Sequence, residues 1–206
     1  MRKLVIFIWL SIFMQCQTQN IEESTILQLN NKVEKFDVLT FQKRKKNNSY
    51  LIKTEDCTVK SFSYKNGFVE YFYPQNLYFN LGKNFHKNGI IKDKGISFNE
   101  GSAIGIWYHY NEEGSLIKEE DTDSGYLFKP RDIVKYCEKN NIKLSKGYHE
   151  RDGYQTSVYK NELDGKKVWL LSYIISLNKQ EKEVKITLDG QTGKVIKREE
   201  FPYDSY

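Results

Sequence analysis

Few histidines, few cysteines and no long apolar run set the outer limits of this 206-residue chain. His86, His109 and His149 lie far apart without metal-ligand spacing, and no Cys-x-x-Cys pair occurs, so nothing points to a metal site. The longest apolar run, Leu4 to Met14 with Ser11 inside it, has eleven residues. A membrane-spanning helix needs about 20. Charge of one sign is also lacking: the formal net charge of +5 falls to +3 without Arg2 and Lys3, which makes nucleic acid a poor partner. "DGQTGK" lacks the Gly-x-x-x-x-Gly-Lys frame of a phosphate loop. "DTDSGY" (121–126) places Asp121, Asp123 and Gly125 without the closing acid of a calcium loop, and reads as a solvated turn. Ser172 and Ser176 lie in an apolar run without a nucleophile-elbow pattern. The neighbours Glu119, Glu120 and Asp121 do not form a carboxylate pair across a cleft. No catalytic residue, metal or cofactor is therefore expected.

What the chain has in abundance is aromatic surface. Fifteen Tyr and 12 Phe stand against 2 Met and 3 Pro, a composition that leans to β structure because rings fit a half-buried pleated surface. At 39 % apolar residues the chain is long enough to bury a real core.

The amino end, "MRKLVIFIWLSIFMQCQTQN", has the basic start and short apolar region of a secretory signal. Cys16 directly follows the apolar region, and the stretch resembles a bacterial lipoprotein signal. The resemblance implies that Cys16 becomes the acylated first residue of an exported protein, anchored to a membrane and facing the periplasm or the cell surface. More than one acyl chain gives stable attachment without a spanning helix; cleavage and release is the alternative. Cys57 and Cys137 are then candidates to pair in an oxidising compartment. Cys137 falls on the apolar face of a predicted helix and Cys57 near a strand start, so core filling is the preferred role for both.

Four stretches follow from the patterning: a signal (1–16), a tether with first strands (17–56), a repetitive β region (57–125) and an α+β unit (126–206). The basic run Lys43 to Lys46, followed by Asn-Asn-Ser, reads as a charged hairpin loop between two apolar stretches. From Cys57 onward, "YKNGFVEYFY", "HKNGIIKDKGISF" and "YNEEGSLIKEED" each join a ring, a polar turn ending in Gly and a mixed strand. Asn-Gly favours tight hairpins, and recurrence at this interval marks a repeat. Gly105, Trp107, Tyr110, Gly114, Leu116 and Glu119 together are similar to the variant MORN repeat of bacterial proteins. That resemblance implies a meandering sheet used for contact with other molecules, with some members grouped with immunity or antitoxin proteins, and it brings no catalytic residues.

After "SGYLF" the period changes. Ile133, Tyr136 and Cys137 share one helical face, with Pro130 and Asp132 at its start and Lys139 and Asn140-Asn141 at its end. "KKVWLLSYIISL" (166–177) is apolar on both faces, as a central strand should be. "EVKITLD" alternates, with Val184, Ile186 and Leu188 inward, and "KVIKREEF" returns as a third strand. The helix with "VKITLDGQTGKVIK" resembles the PepSY-type domain, which implies restraint of peptidases or contacts in the envelope. The order of the pieces is similar to a family of exported Bacteroidota lipoproteins.

The expectation is thus an α+β chain, mainly antiparallel β, with a MORN-like hairpin meander followed by a small PepSY-like helix-on-sheet unit. Its expected work is non-enzymatic binding of a protein or peptide in the envelope. Trp107, Tyr108, Tyr110 and Tyr126 are the candidate contact residues, against the simpler reading that rings of this kind fill the core. The alternatives are an immunity protein, an envelope hydrolase that gathers two or more histidines in one pocket, and a purely structural lipoprotein.

Overall fold

A computed structural model describes residues 27, 29–150, 155–177 and 180–203. The signal and the acylation candidate Cys16 lie outside these residues. The elements run α1 (Val38–Arg44), β1 (Ser49–Lys53), β2 (Cys57–Tyr64), β3 (Gly67–Pro74), β4 (Phe79–His86), β5 (Ile91–Phe98), β6 (Ala103–Tyr110) and β7 (Leu116–Asp121). They continue with α2 (Pro130–Lys139), β8 (Ser157–Leu163), β9 (Lys166–Leu177), β10 (Gln180–Asp189) and β11 (Val195–Pro202). Strands β1 to β7 form one antiparallel meander, and β8 to β11 form a second, in which each strand pairs with its neighbour in the chain. The fold is mainly antiparallel β, with two short helices among the described residues.

The second half follows its periodicity closely. In α2, Ile133 and Cys137 are fully buried, Pro130 opens the helix, and Asp132 accepts from the backbone N–H of Lys129 at 2.9 Å. Val184, Ile186 and Leu188 all point into the core, opposite Tyr173, Leu171 and Trp169 of β9. Strand β8, "SVYKNEL", adds a fourth strand to the expected three, with Val158 inside and Tyr159 half in solvent.

The first half departs from expectation at its start. Residues 38–44 form a helix where a strand and basic loop were expected. Asp37 accepts the N–H of Thr40 at 2.9 Å, Lys43 and Arg44 sit in the last turn where cations complement the helix dipole, and Phe41 is wholly buried. The polar stretch before it is not a free tether over its described part. Residues 29 to 37 form a strap along the seven-stranded sheet: Phe36 N–H donates to Gly89 O at 2.8 Å and Ile91 N–H to Glu34 O at 2.9 Å. The sheet itself begins at Ser49, ahead of the repeats seen in the sequence, and β4 (Phe79–His86) lies between the first two of them.

The two sheets share one core. Phe79, Leu81, Ile96, Phe98 and Ile104 of the larger sheet pack with Trp169, Leu171, Tyr173 and the inward residues of β10 and α2. Phe98 meets Trp169 edge-on, 6.1 Å between ring centres. Gly101 bridges Val158, so the β5–β6 turn lies along β8; a Cβ at Gly101 would stand 1.9 Å from Val158 O. Lys160 completes the junction. Its Nζ donates to Ala103 O and Thr122 O, both at 2.8 Å, and to the Asp123 carboxylate, while lying over the rings of Tyr126 and Trp169. Burial lowers the pKa of Lys160, and Asp123 offsets part of that. The boundary near residue 125 thus separates two sheets that bury their apolar faces together.

Candidate recognition surface

Successive strand residues point to opposite sides, so the register sorts the seven-stranded sheet into two faces. The inner face has three rows. Phe72, Leu81, Ile96 and Ile104 belong to the shared core; Phe68, Phe85 and Ile91 belong to a smaller cluster with Phe36, Phe41 and Tyr110. Between them runs a polar row, Ser61, Glu70, Lys83, Lys94 and Tyr108. The strap neutralises it: Glu34 is 2.5 Å from Lys83 Nζ and 2.6 Å from Lys94 Nζ, and Lys94 also donates to Lys32 O at 2.6 Å. Burial alone would raise the pKa of Glu34, but the two lysines outweigh it and hold the carboxyl below its ordinary value. Glu70 is raised by burial, which Lys83 and Ser61 only partly offset.

The outer face carries the rings. One row runs Lys60, Tyr71, Gly82 and Gly95, and Trp107 continues it toward Glu120. The row beside it runs Phe62, Val69, Asn84, Asp93, His109 and Lys118. Trp107 Nε1 donates to Ile96 O at 3.0 Å, which fixes the indole on the sheet. Ring centres are 6.2 Å apart for Phe62 and Tyr71, 5.9 Å for Tyr71 and Tyr73, and 5.3 Å for Tyr73 and Tyr148, which arrives from the segment after α2. All five rings are half-buried. Lys60 Nζ lies 5.3 Å over Tyr148, and a cleft of about 530 Å³ lined by Lys60, Tyr148, Leu51, Arg44 and Glu150 continues the strip at that end.

The four candidate contact residues therefore separate. Trp107 lies on the outer face. Tyr108 lies on the inner face opposite Lys94, packed against the smaller cluster. Tyr110 is buried in that cluster, its hydroxyl pushed up to about 12 by burial and the nearby Glu34. Tyr126 is buried in the shared core, donating to Asn161 O at 2.9 Å and packing on Trp169. These two are core: alternation along β6 turns Tyr110 inward, and Tyr126 enters the shared core from the loop between β7 and α2. The sequence reading missed the partners of Trp107, although "VEYFY" already places Tyr71 and Tyr73 on one strand face, and Gly82 and Gly95 interrupt strands where rings then lie.

Cys57 and Cys137 are free thiols, so the considered pairing is not made. Cys137 is sealed in the shared core, where burial pushes its thiol up to about 12, and Cys57 lies 3.4 Å from Thr54 Oγ1. Each histidine engages a different partner: His86 with Tyr110 O, His109 with Glu120 at 3.0 Å, and His149 with Lys146 O. In "DTDSGY", Asp123 is committed to Lys160 and to the N–H of Gly105, and among the described residues no cluster of acids, histidines or cysteines has metal-holding geometry. No described helix is long and apolar enough to cross a membrane. The chain matches no protein-family model, no curated protein and no solved structure.

Proposed function

We propose that the chain is a non-enzymatic binding module, exported and lipid-anchored through Cys16, that holds a partner in the cell envelope on the outer face of its seven-stranded sheet. The observation that carries this reading is the strip of half-buried rings from Tyr148 through Tyr73 and Tyr71 to Trp107, the last two meeting over Gly82 and the indole held to the sheet by Ile96 O. Rings held this way supply contact area at small entropic cost, as recognition surfaces often do. The expected partner class is a protein or peptide. A MORN-variant-like meander and a PepSY-like helix-on-sheet unit remain the finer description of the two sheets, supported by hairpins turning at Gly67, Gly89 and Gly114 and by α2 lying against β9 and β10. An immunity role is the narrower form of the same reading.

A photo-crosslinking residue placed at Tyr73 or Trp107 of the full chain tests the proposal in membranes. Adducts at those sites, and none from Tyr159 on the other sheet, are expected. Equal yields from all three sites would remove the outer face as the recognition surface. Intact mass of the membrane-bound protein reports acylation of Cys16, which Cys16→Ser abolishes.

A further inference from the structure

The strip of rings has a floor made of bare backbone. Gly82 and Gly95 are direct cross-strand partners. A Cβ at Gly95 would lie 2.3 Å from three atoms of the Trp107 indole at once, and one at Gly82 would lie 3.1 Å from Tyr71. Equal contact with three ring atoms means that the face of the indole, not its edge, covers Gly95. A side chain at Gly95 would lift the indole off the sheet, and one at Gly82 would push Tyr71 aside by a few tenths of an ångström. Laying rings over strand glycines stabilises a sheet in its own right. Here it also produces a tile of rings that spans β3 to β6, on the order of 14 Å at ~4.8 Å per strand, with Tyr73 tilted 43° from Tyr71.

Polar groups beside the tile are already oriented. Asn84 Nδ2 donates to Asp93 at 2.5 Å, and His109 meets Glu120 at 3.0 Å. The signs of charge alternate: Lys53, Lys60 and Lys118 stand among Asp93, Glu120 and Glu150. A polyanion needs a row of cations; here Arg44, Lys46 and Lys60 gather at the cleft beside Glu150, whereas the tile itself is flanked by Asp93 and Glu120. An extended peptide binds by adding to a strand edge or by sinking anchors into pockets. The tile lies over interior strands whose backbone groups are already paired, and its cleft is at one end. Burial, with Asp93 next, raises the Tyr71 hydroxyl above its ordinary value, so it stays a neutral donor. A sugar ring combines the two features this face offers: a flat apolar face of C–H groups to lie on an aromatic ring, and hydroxyls around its rim to meet planar amides and carboxylates.

We infer that the outer face binds a neutral polysaccharide, with sugar rings stacked on Trp107, Tyr71 and Tyr73 and hydroxyls bonded to the Asn84–Asp93 and His109–Glu120 pairs. This rests on the reading of the outer face as the recognition surface and names its ligand as a glycan in place of a peptide.

The test is affinity electrophoresis of the purified full chain through gels cast with hydroxyethyl cellulose, xylan, glycogen or mannan, with polygalacturonate as the acidic comparison. Retardation by at least one neutral polymer is expected. The retarding polymer should bind Trp107→Ala and Tyr73→Ala at least tenfold more weakly, Trp107→Phe at an intermediate level, and Tyr159→Ala as strongly as the parent. Circular dichroism and melting temperature establish that each variant is folded, and if Trp107→Ala is not, Tyr73→Ala and Trp107→Phe decide. Retardation by no neutral polymer, by polygalacturonate alone, or undiminished in the folded ring variants overturns the inference. In the case of no glycan binding, crosslinks from Trp107 to an envelope protein would leave the binding-module reading standing, whereas their absence would remove both.

Discussion

The two sheets bury their apolar faces by different means. In the four-stranded sheet the inner face is continuous: Trp169, Leu171 and Tyr173 meet Val184, Ile186 and Leu188 and the apolar side of α2, with charge confined to the Lys160 junction. In the seven-stranded sheet the inner face is split by a polar row, and the strap bridges the gap by carrying Glu34 to Lys83 and Lys94. Removing water from a carboxylate and two ammonium groups costs energy that good pairing only just returns. The smaller sheet should therefore govern overall stability, whereas the larger one should carry most of the response to pH.

The largest effect should come from the shared core. Trp169→Ala deletes a fully buried ring and its hydrogen bond to Phe128 O, at a cost of about 3–5 kcal/mol. Because both sheets contribute to that core, denaturant unfolding followed by near- and far-ultraviolet circular dichroism should remain one transition at a lower midpoint. Two separated transitions would show that the sheets are held independently.

A smaller, pH-dependent loss is expected at the strap. Glu34→Ala leaves Lys94, whose side chain is 1 % exposed, without its carboxylate, and should cost about 3 kcal/mol near neutral pH. The folded pKa of Glu34 is depressed, so its contribution is present above the ordinary carboxylate range and lost as pH falls through the folded value. The variant and the parent should thus converge in acid. Glu70 has the opposite sign: its raised pKa means stability is lost as pH rises through it, so Glu70→Gln should show less of that loss. Stability curves against pH check both, and a constant gap for Glu34→Ala across the range would contradict the electrostatic role of the strap.

The smallest loss of stability is expected on the outer face. Gly95→Ala places a methyl 2.3 Å from the indole and should cost about 1–3 kcal/mol, with a change in Trp fluorescence as the ring lifts. An unchanged spectrum at unchanged stability would mean that the ring has an alternative seat.

Legibility follows the same division. The limits of β9, the cap and apolar face of α2 and the inward trio of β10 were all readable, because each buries one side against a continuous apolar surface and so repeats with period 3.6 or 2. Helix α1 was hidden in a basic run, since one buried ring, Phe41, and a side-chain cap suffice to hold seven residues against a sheet. Tyr108, Tyr110 and Tyr126 looked like contact residues beside Trp107, but alternation along β6 sends Tyr108 and Tyr110 to the face opposite Trp107, and Tyr126, in the loop after β7, is placed by its packing on Trp169.

Local patterning was thus sufficient for the mainly antiparallel β class, helix α2, the hairpins of the repeats and the inward residues of β10, since these depend on neighbours a few residues apart in the chain. The strap across the polar row, the union of the two cores and the assembly of Phe62, Tyr71, Tyr73, Trp107 and Tyr148 into one strip depend on register between strands and on contacts spanning many tens of residues. Such pairings are chosen by how well whole surfaces fit and exclude water, and that information exists only once the chain has folded.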